Sequence, residues 1–153
     1  SLSQLFDFNQ EIEKFLPFIP LQEEVWGEEW IISEEGEIKE KKRNLLVHPL
    51  DLSVEQVVDR VRNRGGIVIP VHVDRRSYSI ISQLGFIPPD LEIKVVELSS
   101  HCSPETAVNE LGLEGFRFLR FSDAHSLSQI GSATTSFMFS SFPSWGEFKQ
   151  ILT

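Results

Sequence analysis

The chain has 153 residues, 41% of them hydrophobic, with 12 Phe and 3 Trp, so it can fill one apolar core and is not compositionally disordered. A formal net charge of -9 sets an acidic surface against a phosphate backbone, which argues against a broad nucleic-acid-binding face. No apolar run reaches the ~18 residues of a membrane span, the N-terminus SLSQLFDFNQ carries no secretory signal, and the single Cys102 has no internal disulfide partner; together these point to a reducing, cytoplasmic setting.

Leu5, Phe8, Ile12, Phe15 and Leu16 recur at helical spacing, which predicts a helix over residues 4–16, ended by Pro17 and Pro20. Residues 23–43 are rich in charge, and WIIS-EEGE-IKEK predicts a hairpin with Gly36 in its turn. This stretch reads as a solvated surface excursion, with a partner-docking arm as the alternative. Residues 1–44 are therefore set apart as a helix-and-hairpin segment from an α/β region at 45–153.

The texture changes from Leu50 onward. Ser53 and Gln56 have capping-box spacing, and Val54, Val57, Val58 and Val61 share one face of a helix that reaches about Arg64 and closes at Gly65 and Gly66. Ile67 to Val73 is a continuous apolar run, the pattern of a strand buried on both faces, although Pro70 counts against a central position. A short helix is expected around residues 77–84, then a Gly/Pro loop at 85–89 and a strand over 93–99. Ser103-Pro104-Glu105 opens another helix, Ser at the cap and Pro at the first turn. Phe116 to Phe121 predicts a strand leading into Ser122-Asp123-Ala124-His125. Residues 136–139 suggest a last strand, and Ser144 with Glu147 caps a final helix. Cys102 reads as a buried inert thiol before a metal ligand.

This alternation predicts a mostly parallel sheet, open or barrel-shaped, whose ligands bind outside the carboxyl ends of the strands. Three strand ends then deliver polar groups to one edge: His72, with Asp74, Arg75 and Arg76 just beyond it; Glu97 and His101; and Asp123 with His125. Imidazole nitrogen and carboxylate oxygen suit zinc, manganese or iron. An arginine fork at Arg75 or Arg76 suits a phosphate. Taken singly, a His at a strand end is more often a hydrogen-bonded structural residue than a ligand. His48, in NLLVHPLDLS, reads as a surface or capping residue.

The segments GGIVIPVHVDRRSYSIISQLGFIPPDL, VVELSSHC and FLRFSDAHSLSQIG resemble the C-terminal part of the PHP (polymerase and histidinol phosphatase) family, metal-dependent phosphoesterases. The resemblance implies a distorted (β/α) barrel with divalent metal ions at its C-terminal face. It also implies His72 and the Asp123–His125 pair as metal ligands, and Arg75 as a phosphate contact. Glu97 and His101 become possible supporting residues around them. A phosphorylated small molecule or a nucleotide is the implied substrate.

One departure from the family pattern is large. The family's opening His-x-His strand has no counterpart among the four histidines, His48, His72, His101 and His125. A closed barrel of this kind takes ~200 residues or more. The chain is therefore expected to form a partial PHP-type barrel with an N-terminal helix and a charged hairpin, and a partial metal site inactive in isolation. It begins with Ser rather than Met, which suggests a processed or partial chain. Missing strands would leave open edges, to be covered by self-association, by the N-terminal helix and charged hairpin, or by a complementing N-terminal half. The alternative is a non-catalytic structural or interaction domain with at most a partial metal site.

Overall fold

The computed structural model describes residues 2–152. The chain divides into two compact units, one ending at Val57 and the other beginning at Val58. The first contains α1 (Leu2–Glu13), α2 (Glu23–Trp26) and two strands, β1 (Glu29–Ile32) and β2 (Ile38–Lys42). After α1 the backbone tightens, Phe15 N–H reaching Ile12 C=O at 2.9 Å, and Pro17 prevents the helix from continuing. Residues beyond it run back along the end of β2, where Leu21 N–H donates to Arg43 C=O at 2.9 Å and Leu45 N–H to Ile19 C=O at 2.8 Å.

β1 and β2 pair antiparallel, Glu29 opposite Lys42, with a register shift between Ile31 and Ile32. Gly36 sits in the turn at φ +85°, a conformation that favours a residue without Cβ. The charge run folds into local pairs: Lys41 Nζ lies 2.9 Å from Glu23 and 2.6 Å from Glu28. Such exposed pairs contribute only ~0–1 kcal/mol each. Among the described side chains none before Val58 is buried, and Trp30, Ile31, Ile32 and Ile38 of the hairpin are all exposed. The described residues of the first unit thus form helices and a ribbon without a buried core.

Among the described residues, all of the buried core lies in the second unit. It is entered through α3 (Val54–Arg62), started by the expected capping box: Gln56 N–H donates to Ser53 Oγ at 3.3 Å, and Ser53 N–H to Gln56 Oε1 at 2.9 Å. Val58 is buried on the apolar face. At Gly66 the backbone passes so close to α3 that a Cβ would lie 2.6 Å from Val61 Cγ1 and 3.0 Å from the Val61 carbonyl oxygen. Next come α4 (Ile80–Leu84), β3 (Val95–Leu98), α5 (Pro104–Leu111), β4 (Arg117–Arg120) and α6 (Trp145–Leu152). Ser79 and Ser103 cap α4 and α5, with Pro104 in the first turn of α5.

β3 and β4 pair parallel, Val95 beside Arg117 and Leu98 beside Arg120, with α5 as the crossover. All four residues of β3 are buried. Val95, Leu119 and Leu152 form a core cluster, and Ile67, Ile69, Phe137 and Phe148 pack against it. The rings of Phe137 and Phe148 meet edge to face at 5.2 Å.

The expected PHP-type (β/α) barrel of mostly parallel strands is not what forms. Among the described residues there are two separate two-stranded sheets, one antiparallel and one parallel, and no closed barrel. The physical reason lies in two segments that run extended without becoming strands. Residues 67–73 lie beside β3 and exchange only two backbone bonds with it, Glu97 N–H to Pro70 C=O and Val73 N–H to Glu97 C=O, each 2.9 Å. Pro70 has no N–H to give, and His72 turns to φ +32°, out of the extended region. Residues 133–139 alternate in burial as a strand would, but their described hydrogen bonds to β4 use a side chain. Thr135 Oγ1 accepts from Arg120 N–H at 2.7 Å and donates to Arg120 C=O at 2.9 Å. The predicted strands at 67–73 and 136–139 are therefore flanking extended chain, and the parallel pairing stops at two strands.

No described helix is long and apolar enough to cross a membrane.

Candidate functional site

The carboxyl-terminal ends of the 67–73 segment, β3 and β4 lie side by side, and this gathers the polar groups. His72 and Asp123 both stand at positive φ, +32° and +44°; apart from glycine only Tyr78 and Glu92 share that feature among the described residues. A non-glycine residue held there costs on the order of 1–3 kcal/mol and persists only when the surroundings impose it. His72 Nδ1 is buried and has no hydrogen-bond partner among the described residues. Leaving a buried polar atom unmatched costs ~1–3 kcal/mol. Strain and an orphaned nitrogen thus coincide in one residue.

Asp123 follows β4 and is engaged from two sides. Arg75 Nη2 donates to its Oδ2 at 2.9 Å, and His125 Nε2 lies 3.5 Å from its Oδ1. The His125 imidazole is otherwise open to solvent, 80% exposed, and its backbone N–H is held by Gln129 Oε1 at 2.8 Å. Arg75, Asp123 and His125 are therefore brought together, with Arg75 occupying the carboxylate that a metal would need.

Glu97 lies within β3, only 7% exposed. Burial raises its carboxyl above the ordinary range; of its neighbours His72 lowers it, Asp123 raises it, Arg75 lowers it and Asp74 raises it. That set of interactions places Glu97 in the same electrostatic neighbourhood as His72, Asp123 and Arg75. His101 stands apart: it is exposed, and its described link is a backbone N–H to Ser99 Oγ at 3.3 Å. His48 Nδ1 faces the Pro49 carbonyl oxygen at 2.9 Å, in line with a local structural role. Cys102 is buried, and desolvation holds its thiol above the usual range, which suits an inert side chain.

Asp74 gained no role from the sequence, and the structure supplies one. Its Oδ1 accepts from Ser99 N–H at 2.7 Å and its Oδ2 from Ser99 Oγ at 2.6 Å. This clamp ties the chain just after His72 to the end of β3. The signal in the sequence is an acid directly after one apolar run and a Ser pair directly after the next. It becomes meaningful only once those runs are known to be neighbours.

The donor chemistry suits a divalent metal: an imidazole nitrogen without a partner, carboxylates at Glu97 and Asp123, and a second imidazole at His125. The arrangement is not preformed. Among the described residues no group of three or more His, Cys, Asp and Glu side chains stands ready to hold an ion. Asp123 would first have to exchange Arg75 for the metal. No family model, curated protein or solved structure matches this chain.

Proposed function

We propose that this chain carries part of a metal-dependent phosphoesterase site, in which His72, Asp123 and His125 hold a divalent ion and Arg75 takes the phosphate of the substrate. The observation that carries the reading is His72, strained and with a buried, unpartnered Nδ1 beside Glu97 and the Asp123–Arg75 pair. Zinc, manganese or iron in such a site would supply an activated water and stabilise charge on the phosphoryl oxygens. Arg75 has the planar fork that matches two phosphate oxygens, and its present partner is a carboxylate of similar geometry. Phosphate arriving at Arg75 and metal arriving at Asp123 would each replace the other half of one exposed ion pair, at little energetic cost. Glu97 would lie behind these groups as a buried acid. The remaining ligands would come from another segment or a second chain, so the isolated chain is read as inactive. A phosphorylated small molecule or nucleotide is the substrate class.

The second reading is a non-catalytic interaction domain, favoured by the ion pair that already satisfies Asp123. Manganese and zinc binding, measured by calorimetry on the wild-type chain and three variants, separates the two. The first reading expects His72→Ala and Asp123→Ala to weaken binding at least tenfold, and Arg75→Ala to strengthen it by freeing the carboxylate. Equal metal uptake by all four proteins would sink the metal site and leave the second reading.

A further inference from the structure

We propose that the opposite, amino-terminal edge of the β3–β4 sheet is a separate binding site for a small organic anion with an apolar body. A recess of about 380 Å3 opens there, within the usual ~300–1,000 Å3 range of small-molecule sites. Its floor and walls include Ile67, Ile93 and Leu152, and its rim carries Arg62 and Lys94. A second recess, of about 500 Å3, adjoins it at Lys94 and adds Arg117 to the rim. Four cations, Arg62, Lys94, Lys149 and Arg117, thus line the two recesses at one edge of a chain whose net charge is -9. On such a chain, cations gathered around apolar walls are a local reversal of sign that raises the concentration of an anion there.

The cations are placed rather than merely nearby. The Arg62 guanidinium donates to the carbonyl oxygens of Leu91 at 2.6 Å and Glu92 at 3.3 Å, neutral partners that orient the fork without cancelling its charge. Lys94 directly precedes β3, where its carbonyl accepts from Arg117 N–H at 2.8 Å, and the Lys149 ammonium at the same recess donates to the Gly65 carbonyl oxygen at 3.2 Å, another neutral partner. Glu92 is the one acid among the lining residues of the two recesses. The anionic head of a ligand would sit among Arg62, Lys94 and Lys149, and its apolar body against Ile67, Ile93 and Leu152.

This edge is distinct from the one that holds His72. Ile67 and His72 are at opposite ends of one extended segment, about five residues or roughly 16 Å apart. The reading stands whether or not the His72 edge binds metal.

Octanoate and phenyl phosphate, titrated into the full chain and followed by backbone amide shifts, test the site, with inorganic phosphate and phenol as the half-ligands. Saturable shifts centred on residues 92–95 and 115–117 are expected with at least one of the two amphiphilic anions, and which of them binds identifies the head group. Lys94→Glu, a surface change that leaves the core alone, should weaken that binding about tenfold or more, whereas His72→Ala should leave it unchanged. The proposal is overturned if neither anion saturates at millimolar concentration, or if a half-ligand binds as tightly as the whole. It is equally overturned if His72→Ala, rather than Lys94→Glu, abolishes binding.

Discussion

Replacing Asp74 by Ala should destabilise the second unit by about 3–5 kcal/mol, although Asp74 contributes nothing to the apolar core. Two hydrogen bonds end on its carboxylate, from Ser99 N–H at 2.7 Å and Ser99 Oγ at 2.6 Å. Bonds to such an acceptor are worth ~1.5–3 kcal/mol each. Ser99 is 7% exposed, so water does not readily replace the lost partner of its N–H. Asp74→Asn keeps the shape and one acceptor oxygen, and should cost about half as much. Ser99→Ala removes only the hydroxyl bond and should cost ~1–2 kcal/mol. Because the hydroxyl bond is lost in either single variant, the double variant should fall short of the sum by ~1–2 kcal/mol. Urea unfolding of the four proteins, followed by circular dichroism, measures each value. An Asp74→Ala cost below ~1 kcal/mol, or strict additivity with Ser99→Ala, would refute the clamp.

Glu97 yields a pH prediction for the metal-free chain. Burial holds its carboxyl above the ordinary range, so folding favours the protonated acid. The stability it contributes is full below the unfolded carboxyl range and is lost as pH rises through the higher folded value. Glu97→Gln should therefore be more stable than wild type at neutral pH, by on the order of 1–3 kcal/mol, with the advantage shrinking toward pH 4; urea midpoints across that range check it, and a destabilised variant at pH 7 would show that the charged acid is satisfied. Gly66→Ala should destabilise, because the new Cβ would meet the Val61 carbonyl oxygen and Cγ1 at 3.0 and 2.6 Å. A melting temperature within a degree or so of wild type would mean that α3 shifts freely at that point.

What the sequence by itself determined is local. The caps at Ser53, Ser103 and Ser144 were legible because donor and acceptor lie three residues apart, and all three form. The hairpin around Gly36 was legible for the same reason: its turn chemistry and both its strands fall within fifteen residues or so. The run at β3 also stood out and is buried at all four positions, whereas β4 alternates, with only Leu119 buried between Arg117 and Arg120. Which extended runs become paired strands was decided by tertiary structure alone. Ile67 to Val73 has the composition of a central strand, yet one missing N–H at Pro70 and one left-handed residue at His72 leave it with two bonds to β3. The same holds for the candidate site. Residue types and strand-end positions picked out His72, Asp123 and His125, but not that Arg75 would occupy Asp123, that His101 would stand apart, or that Asp74 would spend both oxygens on Ser99. Caps and turns are bonds between near neighbours in the chain; strand pairing and ion-pair partners are choices among many distant groups of the same chemical type, and only the folded arrangement makes them.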